Sequence, residues 1–219
     1  MAEARVVVLI SGRGSNLKAL IEDSRSADAG YRVVGVVTDR NDAVGIAVAE
    51  AAGVPVTVVP RQMFPSRAAF EAVLNDAVDG FGPDWIVLAG FMRVLSPEAV
   101  HRFEMRAFNI HPSLLPKYPG LDTHARALAA GDRVHGASVH LVIPALDQGP
   151  VLAQVEIPVC EGDSAGALAE RLLSREHELL CACVRLLASG RVEIQPLQLS
   201  LDATNRHGPF LLNANNQLV

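Results

Sequence analysis

The sequence predicts an α/β fold, a Rossmann-like open twisted sheet that is parallel in its N-terminal half and gains antiparallel strands in its C-terminal half. Three observations carry this. Short β-branched runs alternate with segments of helical spacing through the first half of the chain, the pattern of parallel βαβ units. A glycine-rich turn, Ser11–Asn16, directly follows the first run. Later, two extended runs are joined by a short connection containing Gly149, and their proximity favours an antiparallel pair.

In order, Arg5–Ile10 is a compact β-branched strand, and Leu17, Leu20 and Ile21 recur at helical spacing behind the glycine-rich turn. Tyr31–Thr38 is the second strand, Val44–Ala52 a short helix, and Val54–Val59 a third strand with Pro55 near its start, where proline is tolerated. Ser66–Val78 reads as a helix capped by Ser66, and Asp84–Ala89 as a fourth strand. Ala107–Ile110 is a short strand entering His111–Gly120, where three prolines exclude a continuing helix. Thr123–Ala130 is a short helix, and Gly136–Ile143 and Pro150–Val159 are the paired strands. Ser164–Ala188 is the longest helix, with Leu168, Leu172, Leu179 and Leu186 among its apolar positions, and Arg191–Ile194 a last strand. The weak periodicity beyond Gln198 predicts no element. A single unit is expected over residues 1–195, with an N-terminal half of about 1–105, a C-terminal half of about 106–195, and a tail over 196–219.

Composition narrows the function. The 219 residues are 50% hydrophobic and 20% charged, as in an ordinary globular enzyme. A formal net charge of −5 argues against a general nucleic-acid binder, which needs a basic surface. No signal peptide and no membrane span are expected. Cys160, Cys181 and Cys183 match neither a disulfide framework nor a zinc set, and suit a reducing cytoplasm. His101, His124, His135, His177 and His207 have no metal-ligand spacing.

Three segments carry candidate chemistry. In Ser11-Gly12-Arg13-Gly14-Ser15-Asn16 a glycine-rich turn leads into a helix, so backbone N–H groups and the helix dipole can hold an anion; a plain tight turn is the alternative. Leu17 stands where a dinucleotide fingerprint would prefer glycine, and Asp39 reads either as a ribose-binding acid or as a turn residue. In Asn109-Ile110-His111 the first and third side chains share one side of an extended segment. An amide and an imidazole there suit a reaction that develops negative charge on a carbonyl oxygen, whereas a lone strand-end histidine would be structural. Asp147, after the strand bearing His140, can hold a protonated histidine or relay a proton, or else simply form the turn.

Together these segments resemble the folate-dependent formyltransferases. The resemblance runs from about Val6 to about Leu187, on Ile10–Leu17, Leu88–Pro97, the block Phe108–Gly120, and His135–His140 followed by Asp147; the glycine-rich loop points to the glycinamide ribonucleotide branch. It implies a catalytic trio of Asn109, His111 and Asp147. It implies ribonucleotide contacts from Gly14, Ser15, Asn16 and Glu176. Folate contacts would come from Arg67, Met92, Arg93, Val94, Leu95, Asn109, Ile143 and Asp147, with the backbone of Arg93 and Leu95 reading the pterin edge and the 143–147 connection closing over the ring. The reaction implied passes formyl from 10-formyltetrahydrofolate to the amine of glycinamide ribonucleotide, with folate a cosubstrate, no tightly bound cofactor or metal, and a cytoplasmic monomer or homodimer. Arg13, Gln148 and Leu173 depart from some relatives. A methionyl-tRNA formyltransferase would need a further C-terminal domain, a formyltetrahydrofolate deformylase an N-terminal one, and a dinucleotide-binding module would lack the trio.

Overall fold

The computed structural model describes residues 3–103, 105–195, 198–201 and 208–219. The strands are β1 Ala4–Ile10, β2 Tyr31–Thr38, β3 Val56–Val58, β4 Trp85–Leu88, β5 Ala107–His111, β6 Val134–Leu141, β7 Val151–Pro158, β8 Val192–Gln195, β9 Gln198–Leu201 and β10 Phe210–Leu211. The helices are α1 Ser15–Asp23, α2 Gly45–Ala51, α3 Arg67–Asp79, α4 Pro97–Arg102, α5 Thr123–Ala129 and α6 Ala165–Ala188. The main sheet has the order β10-β7-β6-β5-β4-β1-β2-β3. Strands β3, β2, β1, β4 and β5 are mutually parallel, and β5–β6 and β6–β7 are antiparallel.

The continuous apolar run of β1 follows from its central place, because a strand covered on both faces needs apolar side chains pointing both ways. Val6, Val8 and Ile10 pack in one core with Leu17 and Leu20 of α1 and Leu168, Leu172 and Leu179 of α6. Val7 and Leu9 pack in the other with Phe70 and Leu74 of α3 and Val100 of α4. The predicted cap forms, with Ser66 Oγ accepting from Ala69 N at 3.1 Å, and Ser164 Oγ caps α6 in the same way, accepting from Ala167 N at 3.1 Å. The two neighbours of β1 lie on opposite sides and lead in opposite directions along the chain, so a crevice opens beyond the strand carboxyl ends there.

The structure adds elements that the sequence pattern did not mark. Helix α4, with Ser96 as its cap and Pro97 in its first turn, is six residues long, too short for a periodic signal. The expected last strand forms as β8, but pairs with β9 in a separate two-stranded sheet. Past it, β10 joins the edge of the main sheet parallel to β7, with Phe210 and Leu212 buried in the core. Two residues held by partners far away in the chain have no local pattern to show. Residues 196–197 and 202–207 of the tail, His207 among them, lie outside the described residues.

Candidate active site

Strand β5 carries the first two members of the expected trio. Its pairing sets Asn109 opposite His140 and His111 opposite Ser138 on β6. The Asn109 amide lies 3.1 Å from His140 Nε2. His140 Nδ1 is 3.0 Å from the Leu141 carbonyl, which can only accept, so the proton sits on Nδ1 and Nε2 accepts from Asn109. His111 Nε2 likewise donates to the Tyr118 carbonyl at 2.9 Å, which leaves Nδ1 as the free nitrogen of a neutral ring. That Nδ1 is 3.5 Å from Asp147 Oδ2, and His140 Nε2 is 3.5 Å from Asp147 Oδ1. Asp147 comes from the loop between β6 and β7 in a left-handed conformation with φ 53°, and accepts from Gly120 N at 2.8 Å. Gly149 lets this loop return: a Cβ there would lie 1.8 Å from the Leu141 carbonyl oxygen.

The electrostatics follow from burial set against neighbours. Burial pushes the Asp147 carboxyl upward, but the adjacent His140 imidazole, the Gly120 N–H and the nearby His111 prevail and hold it below the usual carboxylate range. For His111 burial wins: the ring sits below the ordinary histidine value, although the Tyr118 carbonyl and Asp147 both raise it. Asp147 thus favours an imidazolium at His111, while burial holds the ring toward the neutral form.

The trio opens onto a cavity of about 590 Å³. Met92, Arg93, Val94, Leu95 and Ile143, all expected at the folate site, line it together with Asn109, His111 and Asp147. Arg67 stands apart from the lining residues; its Nε pairs with Glu71 at 2.8 Å and its Nη2 donates to the Val94 carbonyl at 2.6 Å, bracing the wall from behind.

The residues expected at the ribonucleotide lie at the start of α1 and on α6, where Asn16 meets Glu176. Gly14 caps α1 with φ 74°, Ser15 begins the helix, and its first turn carries no acidic side chain, an arrangement open to an anion. Glu176 on α6 is buried beside Asn16; burial pushes its carboxyl up to about 7, while the Asn16 amide and Arg13 lower it. The Asn16 Oδ1 atom is buried without a hydrogen-bond partner.

Residues 4–184 match the family described as formyl transferase. This chain belongs to the formyl transferase family. It is 43% identical over 189 residues to the phosphoribosylglycinamide formyltransferase of Escherichia coli, covering 86% of this chain and 89% of that one. It is 39% identical over 192 residues to the trifunctional purine biosynthetic protein adenosine-3 of Bos taurus, covering 88% of this chain and 19% of that protein. The structure of phosphoribosylglycinamide formyltransferase from Coxiella burnetii superposes with a TM-score of 0.89 at 40% identity, over 94% of this chain and 96% of that one.

Within this formyltransferase the sequence reading left some site residues unassigned. The place of His140 opposite Asn109 follows from the β5–β6 register, which local sequence does not show. His124 lines the cavity, with its Nδ1 3.0 Å from His135 Nε2, a pair eleven residues apart that no metal-ligand spacing marks. Asp39 lies in the bend after β2, ahead of the turn at 41–42, as the turn reading expected, and it also holds an ion pair that neither reading included. It is buried, accepts from Ser11 Oγ at 2.5 Å and pairs with Arg93 Nε at 2.6 Å.

Proposed function

We propose that this enzyme transfers the formyl group of 10-formyltetrahydrofolate to the amine of glycinamide ribonucleotide, giving formylglycinamide ribonucleotide and tetrahydrofolate in de novo purine biosynthesis. The observation that carries the reading is the meeting of Asn109, His111 and Asp147 in the lining of a cavity that the Met92–Leu95 segment also lines. The names of the relatives, which share most of this chain, support the same substrates.

In this reading the loop Gly14–Asn16 holds the phosphate, Glu176 accepts hydrogen bonds from the ribonucleotide, and the 92–95 backbone with Ile143 holds the pterin. The substrate nitrogen attacks the formyl carbon and forms a C–N bond, and the former carbonyl oxygen becomes an oxyanion. Asn109 has two amide hydrogens. One engages His140, and the second is left for the oxyanion. His111 spends its Nε2 hydrogen on Tyr118, so it donates to the oxyanion only with a proton on Nδ1, the imidazolium that Asp147 stabilises. Asp147 and water carry the surplus ammonium proton toward the folate nitrogen, which leaves as the C–N bond to the carrier breaks. Folate is consumed, and no tightly bound cofactor enters the scheme. A cytoplasmic setting suits the three unpaired cysteines, which a reducing compartment preserves.

One assay tests this. Tetrahydrofolate release from 10-formyltetrahydrofolate is measured with and without glycinamide ribonucleotide. Release that requires the amine is expected; equal release with water alone would make the enzyme a deformylase.

A further inference from the structure

At the end of β2 Asp39 is 1% exposed. A buried carboxylate is costly unless its oxygens are partnered, and here both are. Oδ1 accepts from Ser11 Oγ at 2.5 Å and Oδ2 from Arg93 Nε at 2.6 Å. Ser11 Oγ in turn accepts from Met92 N at 2.9 Å, and Ser11 N donates to the Gly90 carbonyl at 3.1 Å. Polar contacts from the ends of β1 and β2 therefore converge on residues 90–93, an irregular stretch past β4 that lines the cavity. Arg67 completes the frame through the Val94 carbonyl.

We propose that Asp39 and Ser11 are positioning residues for the folate side of the site, acting through Arg93 and the Met92 N–H to hold the 90–95 backbone in the shape that reads the pterin. The proposal rests on the substrate assignment above. It concerns folate alone, because the phosphate loop is braced by other contacts: Gly45 N donates to the Gly12 carbonyl at 3.1 Å and Lys18 N to the Gly14 carbonyl at 2.9 Å.

Steady-state kinetics with both substrates test it. Asp39→Asn keeps the shape and removes the charge; the KM for 10-formyltetrahydrofolate should rise about tenfold, the worth of a charge-assisted hydrogen bond. The ribonucleotide KM, and kcat at saturating folate, should stay within about twofold. Ser11→Ala, which retains the ion pair, should raise the folate KM less. Arg93→Met strands the buried carboxylate and should lower Tm; adding Asp39→Asn should restore Tm while the folate KM stays high, a separation that a purely structural ion pair would not give. A wild-type folate KM in Asp39→Asn, or equal rises in both KM values, overturns the proposal. Should Asp39→Asn fail to fold, Ser11→Ala decides on the same criterion. Lack of ribonucleotide-dependent formyl transfer in the unaltered protein would count against the substrate assignment instead, so the two failures are distinct.

Discussion

At the start of α1 three consecutive residues, Gly14–Asn16, make the proposed phosphate loop, whereas the cleft beyond β5 draws Asn109, His111, His140 and Asp147 from two strands and the loop after β6. In the proposed function the first region works through main-chain N–H groups and a helix start. It depends on what a side chain leaves open. The second works through imidazoles and a carboxylate whose usefulness depends on where protons sit. Damage to the loop should therefore appear in binding of one substrate, and damage to the cleft in turnover.

The largest effect is expected from Asp147→Asn. Asparagine tolerates the left-handed backbone that residue 147 adopts and can still accept from Gly120 N, so the loop should keep its form. The charge that stabilises an imidazolium at His111 is lost. Turnover should fall by at least about a hundredfold, the lower end of acid–base contributions, with both substrates still bound. Single-turnover kinetics beside calorimetry of each ligand would check this. Near-normal chemistry would return Asp147 to the role of a turn former and take the proton relay out of the mechanism.

Gly14→Ala attacks the other region. A Cβ at Gly14 would lie 2.6 Å from Gly45 Cα, and the backbone φ is 74°, so the loop must shift against α2. Strain of this kind costs roughly 1–3 kcal/mol. Ribonucleotide affinity should fall about tenfold, with a lowered Tm and unchanged folate affinity. Equal weakening of both ligands in calorimetry would mean that the two regions are not separable.

The same division explains what was legible in the sequence. The phosphate loop is one contiguous string, so glycines, strand and helix could be read together, and Ser66 announced its helix by local chemistry. Asn109 and His111 were legible as a pair because strand geometry relates neighbours two apart. Asp147 could be joined to them only through resemblance, since nothing local says that its loop folds back 3.5 Å from His111. His140, the Tyr118 carbonyl and the Ser11–Asp39–Arg93 link are products of register and long-range packing, and local spacing cannot show them. The small edge strand β10 escaped for the same reason.

Glu176 gives the smallest and sharpest test, because it is a titrating side chain within the region otherwise built from backbone. Its folded pKa is about 7 against an ordinary 4.5, chiefly through burial. Between these values the folded state holds a proton that the unfolded state has released, so this group's contribution to stability falls as pH rises from about 4.5 to about 7 and is level above that. Glu176→Gln removes the titration. The variant should gain thermal stability relative to the unaltered protein across that window, and the gap should stop widening above about pH 7. Ligand binding should move the opposite way. If the carboxylate accepts hydrogen bonds from the ribonucleotide, the KM for that substrate should drop a few-fold as pH passes through about 7, while the folate KM stays flat. In Glu176→Gln the ribonucleotide KM should be raised and lose this pH dependence. Thermal melts and paired KM profiles over the same pH range would settle both halves. A ribonucleotide KM that keeps its pH dependence in the variant would assign the titration to another group and leave Glu176 as a buried packing residue of α6.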